Sequence, residues 1–124
     1  MKKQAADMVA AAKAQVENLS PDAVEAELAS GEAVLVDLRE AEELANGRIA
    51  GSVNIPRGML EFRADPTSPY HLEPLDPNAR VIVHCASGGR SALAAATLQE
   101  MGYERVAHLD GGLNAWKEAG KPLA

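Results

Sequence analysis

The sequence predicts an α/β domain built on a mostly parallel sheet, and three observations carry that expectation. Segments of helical periodicity alternate with short apolar runs. Two of those runs are continuously apolar and end in a polar residue, and glycines close the helical stretches. A continuous apolar run suits a strand covered on both faces, whereas a sheet with one wet face would alternate. With 124 residues, 47% of them hydrophobic, one such domain can bury a core without disulfide or metal staples.

The elements follow in chain order. Over residues 3–15 the apolar positions Ala5, Met8, Val9 and Ala12 recur at three- and four-residue spacing, which predicts an amphipathic N-terminal helix ahead of a domain at 16–124. Residues 16–19 are short enough for a strand. Ser20-Pro21 then supplies an N-cap and a proline at the first helical position, and Gly31 closes that helix. Strands are expected at 33–37, 53–55, 80–84 and 106–109. Helices are expected at 90–101 and 112–119, with Gly102 and Gly120 as stops. The stretch 65–78 holds four prolines and little periodicity, so it reads as a surface loop.

Composition excludes several functions. A formal charge of −6 disfavours nucleic acid as the general partner, so any anion site must be local. The single cysteine forbids an intrachain disulfide or a four-cysteine metal site, and it fits a reducing compartment. No apolar stretch resembles a signal peptide or approaches the roughly 20 residues of a bilayer span, so a cytoplasmic protein without membrane contact is expected.

The chemistry concentrates in the segment that runs from Val81 through Cys85 to Ser91, where an apolar strand gives way to a tight loop that opens a helix. In open α/β sheets, ligands bind beyond the carboxyl ends of the strands, which is where Cys85 falls. Gly88 and Gly89 can take positive φ and turn backbone N–H groups inward as an anion nest, and the helix N-terminus points at the same spot. Together with a cation such as Arg90, these features favour a thiolate nucleophile. A lone cysteine after an apolar strand is more often a small core residue. Core packing, however, needs no Gly-Gly-Arg-Ser continuation. Arg90 reads either as that cation or as a partner for Asp37.

The loop Cys85-Ala86-Ser87-Gly88-Gly89-Arg90-Ser91 resembles the Cys-x-x-Gly-x-Arg-Ser loop of the rhodanese, or sulfurtransferase, family. Three more segments resemble that family in the same order: Asp37-Leu38-Arg39, the stretch from Gly47 to Pro56, and Gly111-Gly112-Leu113-Asn114-Ala115-Trp116. The resemblance covers residue 16 to the C-terminus. It implies a small five-stranded parallel sheet with helices on both faces, and a Cys85 that alternates between thiolate and persulfide. By the same resemblance, Cys85 would take the outer sulfur of a small anionic donor such as thiosulfate. The loop amides of Ala86 to Arg90 would hold that sulfur, and cyanide or a thiol would remove it, a ping-pong nucleophilic cycle. A protein persulfide could stand in for donor or acceptor. Asp37 would anchor the loop through Arg90, and Arg39 would hold neighbouring chain segments. No metal or organic cofactor is implied. Arg48, Ala50 and Ser52 depart from the family's usual residues at a turn.

Other residues have plainer readings. Arg57 follows a strand and is weighed as a substrate contact against a solvated arginine. His84 should point away from Cys85 as a core or supporting group, and His71 and His108 show no ligand spacing. Trp116 and Leu113 read as packing, and Met59 and Phe62 read as packing before an apolar wall of the pocket. Two other functions compete: a cysteine phosphatase or arsenate reductase, and a non-enzymatic persulfide carrier or binding module. The first requires five residues between cysteine and arginine, and here there are four. The N-terminal helix would pack on its own domain or pair two subunits, so both monomer and homodimer stay open.

Overall fold

A computed structural model describes residues 1–124. The helix α1 (Ala5–Gln15) leads into β1 (Glu17–Leu19), α2 (Pro21–Ser30), β2 (Ala33–Asp37) and β3 (Val53–Asn54). Then come α3 (Leu60–Ala64), β4 (Arg80–His84), α4 (Gly89–Glu100), β5 (Val106–Leu109) and α5 (Gly112–Glu118). Two 3₁₀ turns, Ala41–Asn46 and Arg57–Met59, and the short α3 had no sequence expectation. The five strands form one sheet in the order β1-β5-β4-β2-β3, and every pairing is parallel. The chain runs from β2 outward to β3, then returns past β2 to β4 and on to β5, and this reversal opens a crevice at the carboxyl ends of β2 and β4.

Side chains alternate across the strands and divide the core in two. Val36, Val81, Val83 and Val106 pack under α4 with Leu60, Ala94, Ala95 and Leu98, while Leu35, Ile82, Ala107 and Leu109 pack on the other face with Val24, Leu113 and Trp116. Both faces are therefore covered, as the continuous apolar runs require. Ser20 caps α2 by accepting from the Ala23 N–H at 3.1 Å, and Gly31 ends it with φ 77°.

Several expectations need correction. The stretch 65–78 is not wholly superficial, because Leu75 is completely buried in the α4-side core and Leu72 packs against it. Phe62 is exposed at 53% rather than packed. The apolar stripe of α1 is narrower than the spacing predicts: Ala12 is buried and Val9 half-buried, but Met8 is exposed and Ala5 too. At the departing turn, Arg48 donates to the carbonyl and hydroxyl of Ser52, and its backbone pairs with Ala124. No helix is long and apolar enough to cross a membrane.

Candidate active site

The strand β4 delivers Cys85 to the crevice, where the residue is buried with 1% exposure. Its Sγ accepts from the backbone N–H groups of Gly88 at 3.2 Å and Ser91 at 3.4 Å. Gly88 makes this curl with φ 101°, a region in which a side chain is strained, and a Cβ there would lie 3.1 Å from the Gly111 nitrogen. Gly89 does not share the left-handed conformation and instead begins α4. Ser87 is exposed, and Ala86, Gly89 and Arg90 are half-buried, so the loop's outer edge meets solvent.

The start of α5 holds the loop from behind. Leu113 N–H donates to the Cys85 carbonyl and Asn114 N–H to the Ala86 carbonyl, each at 2.9 Å. That approach leaves no room for a side chain at Gly112, whose φ is 59° and whose Cβ would stand 2.6 Å from the Cys85 oxygen. The Gly-Gly-x-x-x-Trp segment thus works as a clamp: two glycines permit backbone contact, and Trp116, 3% exposed, fixes the helix on the sheet.

The expected pairing of Asp37 with Arg90 does not occur. Asp37, fully buried, accepts from Arg39 Nε at 3.0 Å and Nη2 at 2.8 Å, because Arg39 lies two residues on and folds back over the strand end. Arg39 also donates to the carbonyls of Glu43 and Gly47, holding neighbouring chain segments. Arg90 is gripped instead by Glu43, with Nη1–Oε1 at 2.7 Å and Nη2–Oε2 at 3.0 Å. Asp37 therefore reaches the loop at one remove, through Arg39 and the 3₁₀ turn that carries Glu43. A two-residue turn is the nearer route for Asp37, and the 3₁₀ turn is invisible to helical periodicity, so sequence reasoning missed Glu43.

These charges shape the site. The Arg90 side chain, with a backbone bond at Glu40, holds the Glu43 carboxyl down at about 2. Arg90 binds its proton more tightly than usual, chiefly through Glu43, with Cys85 adding to the effect. Burial pushes the Asp37 carboxyl upward, but bonds and charge from Arg39 and the nearby His84 bring it below its ordinary value.

Arg57, His84 and His108 occupy three different surroundings. Arg57 binds Glu61 at 2.9 Å and Thr97 Oγ1 at 3.4 Å, two turns along α4 from Ser91, and lines a groove between α1 and α4. His84 is fully buried, with Nδ1 3.2 Å from the Cys85 carbonyl and Nε2 3.6 Å from Asp37 without a hydrogen bond. Burial lowers its affinity for a proton, against the pull of Asp37. His108, by contrast, lies behind the nucleophile: the Cys85 thiol faces Ser91 Oγ at 3.6 Å, and Ser91 Oγ meets His108 Nδ1 at 2.9 Å.

Known proteins resemble this chain in sequence and fold. Residues 20–119 match the family model of the rhodanese-like domain. A sulfurtransferase of Allochromatium vinosum is 32% identical over 109 residues, covering 87% of this chain and 94% of its own. The thiosulfate sulfurtransferase GlpE of Ectopseudomonas mendocina is 33% identical, with 83% and 86% covered. Among solved structures, a protein of unknown function from Rhodopseudomonas palustris, described as a possible tyrosine phosphatase, superposes with a TM-score of 0.94 at 39% identity. It covers all of this chain, α1 included, and 96% of its own. A family model that spans four of the five strands, the cysteine loop and the glycine clamp together leaves one assignment: the chain belongs to the rhodanese-like domain family.

Proposed function

We propose that the protein is a sulfurtransferase that carries a sulfane sulfur on Cys85. The observation that carries this reading is the tight amide nest around Sγ, closed by Gly88 and Ser91 N–H groups and spanned by only four residues between Cys85 and Arg90. In the first half-reaction the Cys85 thiolate attacks the outer sulfur of a thiosulfate-like dianion. A new S–S bond forms, the donor's S–S bond breaks, and sulfite leaves with the electron pair. In the second, cyanide or a thiolate attacks the terminal sulfur of the persulfide and restores the thiolate. Loop amides suit the persulfide anion because oriented backbone dipoles stabilise negative charge without reorganising. A thiol acceptor and a reducing, cytoplasmic setting fit the single unpaired cysteine.

Incubation with thiosulfate and cyanide, with thiocyanate as the readout, tests the reading. The wild-type protein should form thiocyanate and gain one sulfur atom by intact mass, and Cys85→Ser should do neither. Absence of both from the wild type overturns thiosulfate as donor.

A phosphatase is the second reading, favoured by the description attached to the Rhodopseudomonas palustris structure. It predicts hydrolysis of aryl phosphates that Cys85→Ser abolishes. The short loop weighs against it, since a phosphoryl group carries three equatorial oxygens to be bound where a persulfide presents one atom. The Arg90 fork is also already occupied by Glu43.

A further inference from the structure

Behind Cys85 runs a chain of polar groups, buried up to its outer end at the exposed Asn18, that the sulfur-transfer steps above do not use. Ser91 and His108 are fully buried, and Asn18 closes the chain at the edge strand. The hydrogen-bond pattern fixes each role. Asn18 Nδ2 donates to the carbonyls of Lys13 at 2.9 Å and Val16 at 3.1 Å, so the amide orientation is set and Oδ1 is left as an acceptor. His108 Nε2, 2.7 Å from that Oδ1, must carry a hydrogen. In the neutral ring Nδ1 then holds a lone pair, and the Ser91 hydroxyl donates to it at 2.9 Å. The other acceptor within reach, the Gly88 carbonyl, is farther away at 3.3 Å. Ser91 Oγ is left with its own lone pairs toward the Cys85 thiol.

We infer that His108 is a positioning residue that takes up the Cys85 proton through Ser91, with Asn18 holding the imidazole in the receptive tautomer. The inference rests on the reading of Cys85 as the nucleophile. As Sγ becomes nucleophilic, its S–H bond breaks and the proton passes to Ser91 Oγ. The Ser91 proton passes in turn to His108 Nδ1. The electron pair stays on sulfur, the serine ends as it began, and the ring becomes an imidazolium whose Nε2–H keeps its bond to Asn18. The charged groups acting on the ring are Asp110 after β5 and Lys13 of α1, which pair at 2.7 Å, while the Cys85 thiol stands beyond Ser91. Burial holds His108 below its ordinary value, against the pull of Asp110, so the resting ring is neutral, and its Nδ1 lone pair meets the Ser91 hydroxyl.

The topology explains why this chain exists. Val83 and His108 are register partners on adjacent strands, so His108 shares the face on which α4 packs, and Ser91 occupies the first turn of that helix. Sequence spacing shows none of this.

Alkylation by iodoacetamide provides the test, because Cys85 is the sole cysteine and intact mass counts its modification without any sulfur donor. His108→Asn keeps a polar group near Nδ1 but accepts no proton. Its alkylation at pH 7 should fall about tenfold and converge with wild type at high pH, where the thiol ionises unaided. Ser91→Ala should show the same loss and convergence, and the double variant should lose no more than either single one, as groups in series require. A wild-type pH profile in His108→Asn overturns the inference, and so does an equal loss at every pH, which marks a merely structural role. If His108→Asn fails to fold by circular dichroism, Ser91→Ala carries the same test. Failure of thiocyanate formation in the wild type removes the sulfur-transfer reading and leaves this profile still decisive.

Discussion

Glu43 and Arg90, 47 positions apart in the chain, meet in a two-pronged ion pair at 2.7 and 3.0 Å that ties the active-site loop to the segment after β2. The pair is about one-third exposed on each side, so its stabilising value is small, while its geometric value is large. It turns the guanidinium from a free surface charge into a strut.

Glu43→Gln should therefore reduce stability by less than about 1 kcal/mol at neutral pH but lower thiocyanate formation several-fold, because the strut is lost. The Glu43 carboxyl falls from 4.5 to about 2 on folding, so folding disfavours its protonation. Its contribution is complete above 4.5 and disappears as pH falls toward about 2. Denaturant curves for wild type and variant should converge across that window. A stability gap that widens on acidification would sink the assignment.

Arg39→Met should be far more damaging, since it leaves the buried Asp37 carboxylate without its partner. Removing one member of a buried pair costs about 3–5 kcal/mol, and urea denaturation at pH 7 should show a loss of that order. The carboxyl's value is depressed by folding, so wild-type stability should also fall as pH drops through it. A loss below about 1 kcal/mol would mean that the pair is not the anchor of this strand end.

Gly112→Ala should fold poorly or abolish activity. The new methyl would meet the Cys85 carbonyl at 2.6 Å and Ala86 backbone atoms at 2.7 Å, and backbone cannot yield as a side chain can. Gly31→Ala serves as the comparison, because nothing lies within 4 Å of its Cβ although its φ is 77°. Strain alone should cost it about 1 kcal/mol with thiocyanate formation retained. Equal behaviour of the two variants in melting and turnover would remove the clamp.

Ala12→Asp should destabilise the fold by roughly 1–3 kcal/mol, because Ala12 is 5% exposed at the place where α1 meets α4. Light scattering on the same variant checks whether α1 serves this chain or a second copy. A change in melting temperature with constant mass is expected, and a change in mass with constant melting would reverse the assignment.

The framework is legible along the chain: alternating elements, a parallel sheet covered on both faces, and a cysteine placed at the carboxyl end of a central strand. These depend on local patterns, namely strand composition, helix stops and the loop motif from Cys85 to Ser91, so a single pass along the chain can find them. The partners of the charged residues were not legible, because they depend on which distant segments the topology brings together. The family resemblance pairs Asp37 with Arg90, yet a turn of two residues gives it Arg39 first, and a 3₁₀ turn without a sequence signature brings Glu43 to the loop. His108 looked unremarkable for the same reason. Its neighbours Ser91 and Asn18 stand 17 and 90 positions away, and only the order of strands, with β5 set between β1 and β4, places a helix start and an edge strand around one imidazole.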